Sequence, residues 1–173
     1  MNSKKIFLFL NAVTFYIYWW LSLWGASIGN FYIGPIVTIS YFVLHFIIVK
    51  EKNKEFKYLL FCICIGIIFE SILLYSGFLS YKSMIDFFAV PIWVIILWAG
   101  YSLTVFHSFK YLKGRYLLSL VLGAFFAPLM HISGGKIGAI ILNYDNFTSY
   151  FILMVMWSVF LPLMNYISVQ FDD

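Results

Sequence analysis

The sequence predicts an all-α protein, a polytopic membrane helix bundle of about six transmembrane helices plus one short half-helix or re-entrant segment, and three observations predict it. The chain is 64% hydrophobic and only 10% charged, with a mean hydropathy of +0.95, whereas a soluble domain carries about a quarter charged residues. At 173 residues a soluble fold leaves too much surface exposed to hide that much apolar area. The apolar residues also fall into six runs, at residues 6–24, 31–49, 58–79, 88–109, 116–132 and 147–169, each near the ~20 residues that a helix needs to cross hydrocarbon. Together they form one transmembrane domain over residues 1–173.

Each run carries a stripe of small or polar residues at three-four spacing, which marks the face turned toward neighbouring helices. In the first the stripe is Asn11, Phe15, Tyr18, Ser22, Gly25 and Gly29. Lys4 and Lys5 precede this run as they would in a signal peptide, but the run is too long for a signal core and is rich in Trp and Tyr near its end, so it reads as an uncleaved first span. The second run offers Gly34, Thr38, Tyr41 and His45, and the third Gly66, Glu70 and Gly77. Cys62 and Cys64 point about 200° apart on a helix, which suits core packing and not a disulfide or a shared metal.

The fourth run carries Trp93, Leu97, Gly100, Thr104 and His107, and the fifth Gly123, Ala124, Ala127 and His131. The sixth has Ser158, Pro162 and Asn165, where the proline should kink the helix and free a carbonyl near Ser158. Between the fifth and sixth lies the apolar segment 137–142, too short to span and framed by Gly134-Gly135 and by Asn143 to Asn146. This is the predicted half-helix or re-entrant turn.

Six spans alternate their connections. Lys50, Lys52, Lys54, Lys57, Lys110, Lys113 and Arg115 then share a side with Lys4 and Lys5, and only Lys82 and Lys136 lie opposite. The positive-inside rule therefore puts both termini in the cytoplasm. Trp24, Tyr32, Tyr81, Trp93 and Tyr150 at the outer ends, and Tyr58, Tyr111 and Tyr116 at the inner ends, read as interfacial anchors. The net charge of +4 is scattered through short connections, which argues against a nucleic-acid partner. No P-loop, nucleophile elbow, dinucleotide glycine pattern or zinc-protease helix is present, and the sequence calls for no cofactor.

Depth along the helices sorts the polar residues into two layers. Asn11, His45, His107 and Asn165 fall near the inner side, and Glu70, about 18 Å along its helix from Tyr58, falls in the outer half with His131, Trp93, Ser22, Lys136 and Asp86. Glu70 is the strongest clue, because an ionisable group inside a span costs about 2.5 to 3.5 kcal/mol on insertion scales. It reads as a general acid or base or a proton or cation site, with His131 as its partner, or else as a carboxylate hydrogen-bonded for packing. Ser133-Gly134-Gly135, flanked by His131 and Lys136, reads as a turn whose amides face an anion at the start of the short helix. That makes Ser22, Trp93, Gly135 and Lys136 ligand-binding candidates. His45 and His107 read as a metal pair, a proton relay or two interface histidines that hydrogen-bond backbone carbonyls. Without a third ligand they are weak evidence for metal, so the expectation is the last reading and no metal site.

Pro91-Ile92-Trp93 followed by Leu97-Trp98 and Thr104, then Gly123-Ala124, Pro128-Leu129, Gly135, Gly138 and Ala139, give the chain a resemblance over nearly its whole length. It resembles a bacterial inner-membrane family known as domain of unknown function 2878. Gly25-Ala26, Gly34-Pro35 and an acidic residue in the third span fit the same family. The resemblance implies no established activity. It implies that an acid at the place of Glu70 is often Asp and that Tyr often replaces His131, and it suggests an association with fatty-acid or phospholipid modification.

The leading expectation is a lipid-modification accessory or enzyme whose partner is membrane lipid, with Glu70 anchoring the polar end in an outer cavity. A small proton- or cation-coupled transporter is the second reading, with Pro128, Pro162 and the segment near Gly135 as mobile elements. A structural subunit that packs on another membrane protein or on its own copy through Gly25 and Gly29 is the third.

Overall fold

A computed structural model describes residues 3–83, 86–87 and 90–171. Six helices follow one another: α1 (Ser3–Ser27), α2 (Ile33–Ile48), α3 (Lys52–Tyr75), α4 (Ile92–Val105), α5 (Tyr116–Lys136) and α6 (Asn146–Gln170). A single 3₁₀ turn, Lys110–Leu112, precedes α5, and four short strands occupy two of the connections: β1 (Leu79–Tyr81), β2 (Asp86–Phe87), β3 (Val90–Pro91) and β4 (Ile140–Leu142).

Among the described residues, four helices are long and apolar enough to cross a membrane: α1 from Lys5, α3, α5 and α6. The other two are shorter than the six-run pattern predicts. Helix α2 has 16 residues and α4 has 14, or about 24 and 21 Å, against a hydrocarbon layer of ~30 Å. Pro91 is the reason α4 starts late: its extended backbone belongs to β3 and the helix begins one residue on. At the other end Phe109 turns its amide back to the Thr104 carbonyl, so His107 lies past the helix rather than in it.

The segment 137–142 corrects the expectation of a half-helix. Helix α5 runs unbroken through Ser133, Gly134 and Gly135 to Lys136, and Ile140–Leu142 is a strand. Strand β4 pairs antiparallel with β1, Leu79 opposite Leu142 and Tyr81 opposite Ile140. The two strands are reached in the same way. Gly77 and Gly138 hold φ values of +69° and +79°, a conformation open to glycine at little cost, and each ends its helix by a left-handed cap. The Phe78 amide donates to Leu73 and the Ala139 amide to Gly134, leaving two residues later a strand aimed back at its twin. The β1–β4 pair thus fixes the α3–α4 and α5–α6 connections at one end, called here the strand end. The α2–α3 and α4–α5 connections form the opposite, basic end.

Helix α4 is the axis of packing. It lies against α3, α1 and α2, and Trp93, Val94, Ile95, Trp98, Ala99 and Leu103 are all buried in it. Helices α5 and α6 pack most extensively on each other. Their close approach is set at Gly123, where a Cβ would come within 2.3 Å of the Trp157 carbonyl oxygen. Large apolar side chains cover the outside, among them Ile36, Ile39, Val43, Leu44 and Ile47 on α2, Leu117 on α5, and Phe147 and Val159 on α6. Cys62 is buried and Cys64 exposed, as their two-residue spacing predicts. Such a surface suits lipid and not water. Helix α6 starts where Asp145 accepts the Phe147 and Thr148 amides at 3.0 and 3.1 Å. Hydrogen bonds from Thr148 and Phe147 hold the Asp145 carboxyl below the usual range, as an N-cap should.

Candidate functional site

Helix α3 buries Glu55, Tyr58, Leu59, Cys62, Gly66, Phe69, Glu70 and Leu73, a continuous three-four stripe. Two carboxylates therefore stand on one face, fifteen residues or about 22 Å apart along the helix, Glu70 toward the strand end and Glu55 at the basic end.

Glu70 is 4% exposed. One oxygen accepts the Trp98 indole N–H at 2.9 Å, and the other accepts the Tyr81 hydroxyl in a short hydrogen bond. Trp98 reaches it because position 66 is glycine, where a Cβ would stand 2.3 Å from the indole ring. Tyr81 reaches it because β1 is held against β4 and because its ring meets Trp93 edge-on at 5.6 Å. The Trp93 indole in turn donates to the Lys82 carbonyl at 3.0 Å. Burial of an acid is tolerable when its oxygens are met by donors, and here both are.

The carboxylate stands in the wall of a cavity of about 420 Å³, within the ordinary range for small-ligand pockets. The cavity is long. It runs from Tyr81 and Ile140 at the strand end, past Trp19, Leu97, Trp98 and Met130, to Phe109 and Tyr111 at the basic end. Its lining is aromatic and aliphatic, with few polar atoms. His131 lines it, and the His131 Nδ1–H donates to the Ala127 carbonyl at 3.0 Å. Trp157 stacks on Trp98 at 5.7 Å with the planes 6° apart. Its buried indole nitrogen has no hydrogen-bond partner among the described residues.

Of the sequence-predicted outer residues, the structure brings Glu70, Trp93 and His131 to this cavity. Ser22, Gly135 and Lys136 are not in its lining. The Ser22 hydroxyl donates to the Tyr18 carbonyl and fills the space left by Gly34, Gly135 rests against Leu142, and Lys136 is exposed in the last turn of α5, where a cation complements the helix dipole. The anion-binding turn read at Ser133 to Gly135 is ordinary helix. The Asp86 side chain lies outside the described residues.

Residues 8–163, which include every group of this cavity wall, match the family described as protein of unknown function DUF2878. The chain belongs to that family. No curated protein and no solved structure matches it, so within DUF2878 the reading rests on the geometry itself.

At the basic end of this DUF2878 chain the polar residues form three groups. Asn11 donates to the Tyr41 hydroxyl at 2.7 Å and to the Leu103 carbonyl at 3.0 Å, and it accepts from the Ser108 hydroxyl and amide. Asn165 donates to the Leu112 carbonyl and to the Ser119 hydroxyl, on the far side of the 3₁₀ turn. Between them His45 and His107 both turn Nε2 toward the Glu55 carboxylate, at 2.6 Å and at 3.0 to 3.1 Å. Their rings are 5.1 Å apart. The sequence reading left the two histidines without a third group. Glu55 is that group.

Proposed function

We propose that this DUF2878 chain is a multi-pass membrane protein that holds the hydrocarbon chain of a membrane amphiphile lengthwise in its cavity. Glu70 is the polar anchor of that site. The observation that carries this reading is the shape and chemistry of the void: long, lined from α1, α3, α4, α5 and α6, apolar along its length, with Glu70 the one carboxylate among the described residues of its wall. Because Tyr81 and Trp98 both donate to Glu70, what the acid offers a ligand is its remaining lone pairs. It recognises a donor, such as a hydroxyl or an ammonium group on the amphiphile. The His131 Nε2 and the Trp157 N–H supply two further polar atoms beside it.

The distribution of basic residues supports the cytoplasmic side for the basic end, with both termini there, in a bacterial inner membrane. A lipid substrate or cargo fits this lining better than a water-soluble solute does, because a polar solute finds too few partners along it.

A photoactivatable acyl lipid, incorporated into vesicles with the full chain, tests the reading. Labelling is expected on cavity residues of α4, α5 and α6. Filling the void by Ala127→Phe should abolish it, and Glu70→Gln should weaken it by about tenfold, the worth of one charge-assisted hydrogen bond. Labelling confined to the outer faces of α2 and α6, unchanged by Ala127→Phe, sinks it.

A further inference from the structure

The basic end carries a second site, built from different residues and independent of the cavity. The geometry points to a divalent transition-metal site formed by His45, Glu55 and His107, of the two-imidazole, one-carboxylate kind that Zn²⁺ occupies with a fourth position open.

The three donors come from separate elements: His45 from the last turn of α2, Glu55 from the first turn of α3, and His107 from the bend after α4. Their ligand atoms all lie within 4.8 Å of one another. Tetrahedral ligands at about 2.1 Å from zinc stand ~3.4 Å apart. The present separations of 2.6 Å for His45 to Glu55 and 3.0 Å for His107 to Glu55 need only small side-chain rotations to receive an ion. The ring nitrogens and the carboxylate are borderline and hard donors that suit zinc and its first-row neighbours.

Three further features favour a metal over a hydrogen-bond chain for protons. A relay wants its groups in line, one donating and the next accepting. Here both rings present the same atom, Nε2, to a single carboxylate, which makes a three-sided nest. The nest is braced from behind: Tyr41 meets the His45 ring at 5.9 Å, Phe7 meets the His107 ring edge-on at 5.1 Å, and Asn11 binds both Tyr41 and Ser108, the neighbour of His107. Such outer contacts orient metal ligands. Access is also one-sided, since the His45 and Glu55 side chains are 1% and 3% exposed while that of His107 is 16% exposed, giving an ion a route in past a single movable ring.

The test uses the full, tag-free chain in detergent, stripped with a chelator and then titrated with Zn²⁺ and, separately, with Co²⁺ as a spectroscopic probe. About one equivalent should bind per chain, with a Co²⁺ absorption pattern of four- or five-coordinate nitrogen and oxygen ligation. His107→Ala and Glu55→Gln should each weaken binding by ~100-fold or more. His107→Cys guards against a variant that simply fails to fold, since it keeps a ligand atom: binding should return with a new sulfur-to-cobalt charge-transfer band. Glu70→Gln should bind as the parent does, which separates failure here from failure of the cavity reading. Substoichiometric binding, or binding that His107→Ala and Glu55→Gln leave unchanged, overturns the site.

Discussion

Glu70 and Glu55 are the same residue type on the same face of one helix, yet their surroundings differ in kind. Glu70 is met by an indole and a phenol, both neutral hydrogen-bond donors, and it borders an apolar void. Glu55 is met by two imidazoles, groups that ligate metals, and it does not line that void. The difference teaches that a buried acid does not define a site by itself. Its partners decide whether it anchors a neutral or cationic ligand group or completes a metal nest.

The comparison can be broken most sharply at Gly66. A Cβ there overlaps the Trp98 ring, so Gly66→Ala should push the indole off Glu70 and cost about 3 to 5 kcal/mol, overpacking plus a lost hydrogen bond to a charged acceptor. Unfolding of the purified protein in mixed micelles, followed by Trp fluorescence, measures it; a change under about 1 kcal/mol would mean that Trp98 is not seated as described. Next in size is Tyr81→Phe, which removes one of the two donors to Glu70 and should cost about 1.5 to 3 kcal/mol. Tyr41→Phe at the basic end should cost only about 1 kcal/mol, because the Asn11 amide keeps the Leu103 carbonyl and loses a neutral acceptor. Equal costs would erase the contrast between the two ends. The smallest effect is expected for Trp157→Phe, whose missing N–H has no partner to lose. About 1 kcal/mol or less, from ring volume alone, should appear in the same assay, and a cost matching that of Tyr81→Phe would reveal a hydrogen bond at Trp157.

Much of this architecture was legible in the sequence. The three-four stripes pick out Asn11, Tyr18, Tyr41, His45, Gly66 and Glu70, and the structure turns all of them inward. Depth along the helices separates Glu70 from His45 and His107. Glu55 was missed because it sits in the run Lys50 to Lys57, where a glutamate among lysines reads as a solvated charge. The signal was present, since stepping back from Glu70 through Gly66, Cys62 and Tyr58 lands on Glu55. Tyr81 has the sequence position of an interfacial anchor, and only the β1–β4 pairing turns it inward to Glu70. That pairing links residues about sixty apart in the chain, and neither strand is long enough to show a period of its own. The unbroken helix through Gly134-Gly135 was hidden for a similar reason: glycine weakens a helix in isolation, but here Gly134 is covered by Leu23 and Ile140, and tertiary packing decides.

The two short helices have unequal consequences for a surrounding bilayer. Helix α4 is largely buried among its neighbours, so its shortfall is made up mostly by protein. Helix α2 presents Ile36, Ile39, Val43, Leu44 and Ile47 outward, and acyl tails alongside it must match a hydrophobic height several ångströms below that beside α3 or α6. A bilayer accommodates such a mismatch by thinning on that flank, at a fraction of a kcal/mol for each ångström. In a bilayer the bundle is expected to draw an asymmetric dimple, deepest on the α2 side, and to favour thinner membranes over thicker ones.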